Sequence, residues 1–331
     1  VTVSGDRLGF SLYPSRTVPV DAVVRLAQEA ESLGYHSIWI PETWGIDAVS
    51  VLAVLAASTK RICLASGVFN VYSRTPAVIA QTAATLQTLS EGRFLLGLGV
   101  SGPTVIEHWH GLPFGHPLQQ TRRTITAVRR MLAGERVDMW EETSESHGFI
   151  LSNAPASMPP IFLAALGPRN VGLAGELADG WLPIFASRQE DDSSLVAFRQ
   201  GALRAGREPA GLEVAAFLPV ASGMRGEEQL RRHLAYYIGA MGTFYAEHAR
   251  RLGFDEAVQS IRSAWSSGAR RHAVNLVPTE LLAVTTLGTD PAGARERLED
   301  YRRAGITIPV AAFPHGCSES EIARALVALI S

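Results

Sequence analysis

The sequence predicts an α/β chain closed into a (β/α)8 TIM barrel, with a helical insertion between the seventh and eighth strands. Three observations predict it. Short, wholly apolar segments alternate with segments of helical period, the alternation reaches eight strands, and no linker divides the 331 residues into two domains. Strands that are apolar throughout belong to parallel sheets covered on both faces. Eight such units close most economically as a barrel, so one domain over 1–331 is expected, with its insertion at about 222–305.

The elements follow in order. "LGFSL" (8–12) reads as a strand, and "PVDAVVRLAQEAESLG" (19–34) sets Val20, Val23, Val24, Leu26, Ala27, Ala30 and Leu33 on one helical stripe ending at Gly34. Strands at 36–41, 61–69 and 93–99 precede helices at 47–59, 75–90 and 117–134. The stretch 137–151 is charged and polar and reads as an excursion. "PPIFLAALG" (159–167) then resumes the pattern, followed by the helix "PRNVGLAGELA" and the strand "DGWLPIF". "LEVAAFLPVA" (212–221) is the seventh strand, "ITIPVAAF" (306–313) the eighth, and "SESEIARALVALI" (318–330) the last helix. The residues between strands seven and eight are far more than one helix needs. Their pattern is helical, including "LAYYIGAMGTFYAEHARRLG" (234–253), and an insertion over the barrel mouth is expected.

Composition narrows the function classes. With 47% apolar residues and a formal charge of −2, the chain has no electrostatic case for nucleic acid or anionic membrane as its main partner. A small-molecule partner is expected. Cys63 and Cys317 are far apart in sequence, and Cys63 lies within a predicted strand, where a thiol acts as a small hydrophobe. No segment resembles a signal peptide, and no apolar run is long enough to span a bilayer. A reduced, cytoplasmic protein is expected.

"GLGVSG" (97–102) matches the G-x-G-x-x-G dinucleotide fingerprint. Its context argues against that reading: Pro103 follows at once, no acidic residue sits about 20 positions on, and three complete β-α units precede it. Gly97, Gly99 and Gly102, with Ser101, are instead expected to clear side chains from the barrel mouth for a bulky planar ligand.

Four segments in this order, "SGVFNVYSRTPA", "EGRFLLGLGVSGP", "WHGLPF" and "FLAALGPRNVGLAGELADGWLP", resemble the bacterial luciferase-like superfamily. More narrowly they resemble its branch of oxidoreductases using the deazaflavin coenzyme F420, which includes methylenetetrahydromethanopterin reductase; relatives with the same barrel bind FMN. The likeness covers about residues 8–185 and is looser beyond. It implies a third strand ending in a bulge with a non-prolyl cis peptide within Ser66, Gly67 and Val68, which backs the coenzyme ring, with Asn70 close behind. On composition alone the same stretch reads as a glycine bulge followed by a helix cap at Ser73 or Thr75. A homodimer, with the second and third helices as candidate contacts, is implied by resemblance only.

The site is expected at the C-terminal ends of the strands. In "PETWGIDA", Glu42 takes the position of the Asp in the Asp-His pair of related deazaflavin enzymes, and Thr43 replaces the His. Glu42 is a candidate general acid if an apolar pocket raises its pKa; alternatively it hydrogen-bonds the coenzyme. Trp44 is either a ring platform or core packing, and Asp47 reads as a helix N-cap. Ala165, Leu166, Gly167, Pro168 and Arg169 join a strand to a helix start and offer an anion site for a phosphate, or form an ordinary β-α turn. In "EHWHG" (107–111), His108 or His110 could protonate a substrate, and His110 is the candidate carried forward. Two ligands one residue apart make a poor metal signature. Tyr236, Tyr237, Met241, Phe244 and Tyr245 read first as a core stripe and second as a pocket lining.

The function expected is hydride transfer between coenzyme F420 and a small organic substrate, with reduction of a C=C or C=N bond. The alternative is an FMN-dependent monooxygenase, and a third reading is a barrel that has lost catalysis.

Overall fold

The computed structural model describes residues 7–43, 45–140, 145–188 and 192–330. Barrel strands and helices alternate from the start: β1 (Gly9–Ser11), α1 (Val20–Ser32), β2 (Ser37–Ile40), α2 (Ala48–Ser58) and β3 (Cys63–Ser66). The third strand resumes as β4 (Phe69–Asn70), followed by α3 (Pro76–Leu89), β5 (Phe94–Gly99), a π-helical turn Thr104–Trp109 and α4 (Pro117–Leu132). The helix starts follow local chemistry. Asp47 accepts the Ser50 N–H at 2.8 Å to cap α2, and Thr75, ahead of Pro76, accepts the Val78 N–H at 3.3 Å to cap α3.

The polar excursion is an antiparallel hairpin, β6 (Val137–Trp140) and β7 (Glu145–Phe149), outside the barrel. The barrel continues with β8 (Ile161–Ala164), α5 (Pro168–Leu177), β9 (Gly180–Leu182), α6 (Ser193–Arg204) and β10 (Glu213–Pro219). Sequence reasoning missed α6, whose apolar stripe is broken by Arg, Gln and Gly. Asp192 caps it, accepting from the N–H groups of Ser194 (2.9 Å) and Leu195 (3.3 Å). It lies backbone to backbone on α5: a Cβ on Gly201 would stand 2.0 Å from the Gly172 carbonyl oxygen, and one on Gly175 2.0 Å from that of Phe198.

The insertion comprises α7 (Gly226–Ala240), α8 (Phe244–Arg251), α9 (Asp255–Ser266), α10 (Arg270–Asn275) and α11 (Thr279–Thr285). The stretch 234–253, helical in pattern, is divided between α7 and α8, with Gly242 at φ +83° between them. Apolar side chains of these helices, among them Leu234, Ile238, Ile261 and Leu281, bury one another in a core of their own. The last helix in the span, α12 (Pro291–Arg303), instead contributes Ala294, Leu298 and Tyr301 to the barrel core, before β11 (Ile308–Ala312) and α13 (Glu319–Ile330). The insertion leaves and rejoins the barrel through a hydrogen-bonded neck. Leu287 N–H donates to the Pro219 carbonyl at 2.8 Å, and Ala221 N–H to that of Gly288 at 3.3 Å.

All barrel pairings are parallel, and β1 closes the ring by pairing with both β2 and β11. Trp39, Ala65, Leu95, Phe162, Leu182, Ala215, Ile308 and Val310 fill the interior. At the N-terminal end, Arg7 pairs with Glu213 through two hydrogen bonds, 2.9 and 2.7 Å. Nearby His36 is held neutral by burial and by the Arg7 charge, its pKa lowered to about 4. At the other end Val68, Ala164 and Phe217 are only partly covered and floor the mouth.

Candidate active site

The third strand breaks at the mouth. Leu64 and Ala65 pair with Phe94 and Leu95, but Phe69 and Asn70 pair with Leu98 and Gly99, so the third strand carries one extra residue between the two ladders. The bulge contains a cis peptide between Gly67 and Val68, within the triplet where the resemblance implied one. Gly67 and Val68 are partly exposed, whereas Ser66 before them and Phe69 after them are fully buried. The bulge therefore presents its backbone to the mouth.

The glycines of β5 serve this bulge directly. A Cβ on Gly97 would stand 2.0 Å from the Ser66 carbonyl oxygen, and one on Gly99 2.7 Å from Val68 Cγ2. The Ser66 hydroxyl locks the contact, lying 2.9 Å from both the Gly97 carbonyl, to which it donates, and the Gly97 N–H, from which it accepts. The expectation that Gly97 and Gly99 clear space for a ligand is thus corrected: what approaches them is the protein's own third strand. Ser101 follows with φ +57° and is half-buried, and Gly102 is buried beneath the Met241 carbonyl. Asn70 spends its side-chain carbonyl on the loop, accepting from the N–H groups of Tyr72 (2.7 Å) and Ser73 (3.2 Å).

Glu42 lies just past β2 with both carboxylate oxygens on Arg74: Nε–H to Oε2 at 2.8 Å and Nη2–H to Oε1 at 2.5 Å. Arg74 also reaches Asp47 Oδ1 at 3.1 Å and covers the Phe69 ring at 4.9 Å. The Glu42 hydrogen bonds push the guanidinium pKa up, so this cation is permanent. Arg74 was not foreseen in the sequence, though it stands in the loop that was singled out. Thr43 is half-buried beside Glu42, and Trp44 lies outside the described residues.

After β8, Ala165 is buried and its carbonyl accepts the Trp181 indole N–H at 2.9 Å, while the Leu166 carbonyl accepts from Arg251 of α8 at 2.8 Å. Gly167 is the extended N-cap of α5 with no side-chain cap, Pro168 opens the helix, and Arg169 is exposed beside it. The first-turn N–H groups are thereby left for an anion. His110 is exposed at the end of the π-helical turn, with its N–H on the Val105 carbonyl, and Glu107 and His108 are exposed on the same turn. Among the described residues no three His, Cys, Asp or Glu side chains form a metal-binding group.

The insertion roofs the opposite side with aromatic groups, of which Tyr237 and Tyr245 pack against its own core as the first reading of the stripe expected. Tyr237 of α7 shares a hydrogen bond with Tyr13, two residues beyond β1, at 2.9 Å between hydroxyl oxygens. His315, just past β11, stacks on Tyr13 with centroids 3.9 Å apart, and His233 lies 4.7 Å from Tyr237. Tyr245 meets Tyr237 edge-on at 4.7 Å, and Phe185, beyond β9, meets both. Phe185 has φ +56°, and its carbonyl accepts a hydrogen bond from His248 Nε2 at 2.9 Å, which fixes the tautomer of that imidazole. Tyr13 and His315 were missed; the available signal was their place directly after barrel strands, on the end of the barrel that bears the site.

A closed parallel barrel with a backbone platform, an ion-paired guanidinium, an open helix start and an aromatic roof at its C-terminal mouth is built as a TIM-barrel enzyme. The chain belongs to the luciferase-like monooxygenase family, whose profile matches residues 7–307. It is 33% identical, over 99% of both chains, to a Mycobacterium tuberculosis protein whose name assigns it provisionally to the coenzyme F420-dependent oxidoreductases. The 5,10-methylenetetrahydromethanopterin reductase of Methanolobus tindarius is 35% identical over 63% of each chain. The solved coenzyme F420-dependent tetrahydromethanopterin reductase of Methanopyrus kandleri superposes with a TM-score of 0.80, covering 97% of both chains at 22% identity, a likeness of fold.

Proposed function

We propose that this protein is a coenzyme F420-dependent oxidoreductase that reduces a C=C or C=N bond of a small organic substrate. The observation that carries the reading is the similarity to the mycobacterial relative over 99% of both chains. The residues fit the coenzyme. Partly exposed Gly67 and Val68 offer a backing for the ring, and the uncapped start of α5 with Arg169 suits a phosphate.

When bound, the coenzyme supplies a hydride and accepts one back. The chain's part is to hold and orient. The bulge backs the ring, Ser101 and Gly102 border it, Thr43 and Asn70 flank it, and Gly167, Pro168 and Arg169 anchor the phosphate. Glu42, with both oxygens accepting from Arg74, orients that guanidinium at the mouth. His110 remains a candidate donor from the rim. We place the enzyme in the cytoplasm as a homodimer, a reading that rests on its free cysteines and on the resemblance.

Titration with oxidised coenzyme F420 and, separately, FMN, followed by fluorescence and calorimetry, tests the reading. Micromolar or tighter binding of the deazaflavin alone is expected. Preference for FMN, with oxygen consumption on turnover, would establish the monooxygenase instead. Gly67→Leu should abolish coenzyme binding, because even its Cβ would meet the Phe217 ring at 3.0 Å. Unchanged affinity would remove the bulge from the site.

A further inference from the structure

The Tyr13–Tyr237 pair has a donor to spare. Two phenols hold two hydroxyl hydrogens, and the bond between them uses one. No other hydrogen bond to either hydroxyl is present among the described residues. The second hydrogen is therefore available to a third group. The pair also stands where a substrate would meet it: Tyr13 follows β1, Tyr237 hangs from the roof, and Tyr237 touches Phe185. Ile184, next to Phe185, bridges to Phe217, whose ring faces Gly67 of the bulge.

We propose that the Tyr13–Tyr237 hydroxyl pair binds the acceptor atom of the substrate and supplies the proton that completes its reduction. The chemistry rests on the hydride-transfer reading above. As the hydride bonds to the substrate carbon, the electron pair of the broken π bond moves onto the nitrogen of a C=N bond, or onto the oxygen or nitrogen conjugated to a C=C bond. That atom takes the free hydroxyl hydrogen of the pair; the O–H bond breaks and its electrons stay on the phenolate oxygen. The second phenol stabilises this phenolate by donating to it, and water restores the proton at the edge where exposed His315 stacks on Tyr13. The substrate has then gained one hydride and one proton, and the deazaflavin is oxidised by two electrons.

The surroundings suit such a donor. Burial pushes the Tyr13 hydroxyl pKa up to about 12 against the opposing Tyr237 bond, and burial raises Tyr237 and Tyr245 as well, so these phenols stay protonated through the neutral range. Burial also holds His233 neutral, with its pKa lowered to about 3, and lowers that of His315. Phe185 and Tyr245, each edge-on to Tyr237, give the pair an aromatic frame. Arg74 and Arg251 are committed to Glu42 and to the Leu166 carbonyl. The substrate class that fits is a neutral, largely apolar molecule with one oxygen or nitrogen that is part of, or conjugated to, the bond being reduced.

The test uses 4-nitrophenol, a flat probe whose oxygen mimics the reduced substrate's anion, added to the protein with and without oxidised coenzyme F420. Absorbance and calorimetry give the affinity. Wild type should bind the probe, Tyr13→Phe and Tyr237→Phe should each weaken it at least tenfold, and neither should change coenzyme affinity. Both variants keep the packed ring, and thermal melting verifies folding; should one melt early, the other decides. No probe binding by wild type, or equal binding by both variants, overturns the proposal. Probe binding lost in the variants of a protein that binds no deazaflavin would keep the donor pair and defeat the hydride reading. Coenzyme binding with indifferent variants would defeat the pair alone.

Discussion

At the scale of single residues, the mouth is set by contacts that leave no room for substitution. Gly97→Ala would drive a methyl into the Ser66 carbonyl, a backbone atom that cannot step aside, and should cost more than about 3 kcal/mol, read by chemical denaturation. Arg74→Met removes the cation from a half-buried Glu42 and should cost about 1.5 to 3 kcal/mol in the same measurement. Glu42→Gln should weaken coenzyme binding along with turnover; a loss of turnover alone would mark Glu42 as the acid. The sequence made the glycines visible and their purpose opaque. A glycine shows that something comes close, and whether that is a ligand or the neighbouring strand depends on the one-residue bulge, which no local pattern encodes. Tyr13 and Tyr237 were harder still, since their hydrogen bond joins residues far apart in the chain.

At the scale of elements, the alternation of apolar and helical segments located every barrel strand, because parallel strands buried on both faces carry a strong signal. What escaped was weaker in kind. The pattern of α6 is diluted by Arg, Gln and Gly, and its Gly201 is explained only by α5, whose Gly172 carbonyl it accommodates. Gly201→Ala should force the two helices apart and cost more than about 2 kcal/mol, seen as a lower melting temperature. Asp192→Ala removes only the cap of α6 and should cost about 1 kcal/mol. The hairpin β6–β7 was missed because a short, polar, two-stranded ribbon outside the core offers no hydrophobic alternation to read.

At the scale of the whole molecule, the two ends of the barrel share an electrostatic liability. His36 at the base and His233 in the roof have folded pKa values of about 4 and about 3, both below the ordinary histidine value. Below about pH 6.5 the unfolded chain takes up protons that the folded one refuses. Their contribution to stability is therefore complete above that pH and is lost as the pH falls through the folded values. Melting temperature should fall between pH 6.5 and about 4, and His36→Phe should flatten the profile; a flat wild-type profile would contradict the burial described for both rings. The neck formed by Pro219, Ala221, Leu287 and Gly288 bears on descent as well as on structure. A roof that starts and finishes at one point on the rim has its two junctions a hydrogen bond apart, so recombination can exchange the intervening gene segment without disturbing the register of β10 or β11. Substrate choice would then change in one genetic event, while the stretch from β2 to α5, to which the coenzyme is assigned, is inherited intact.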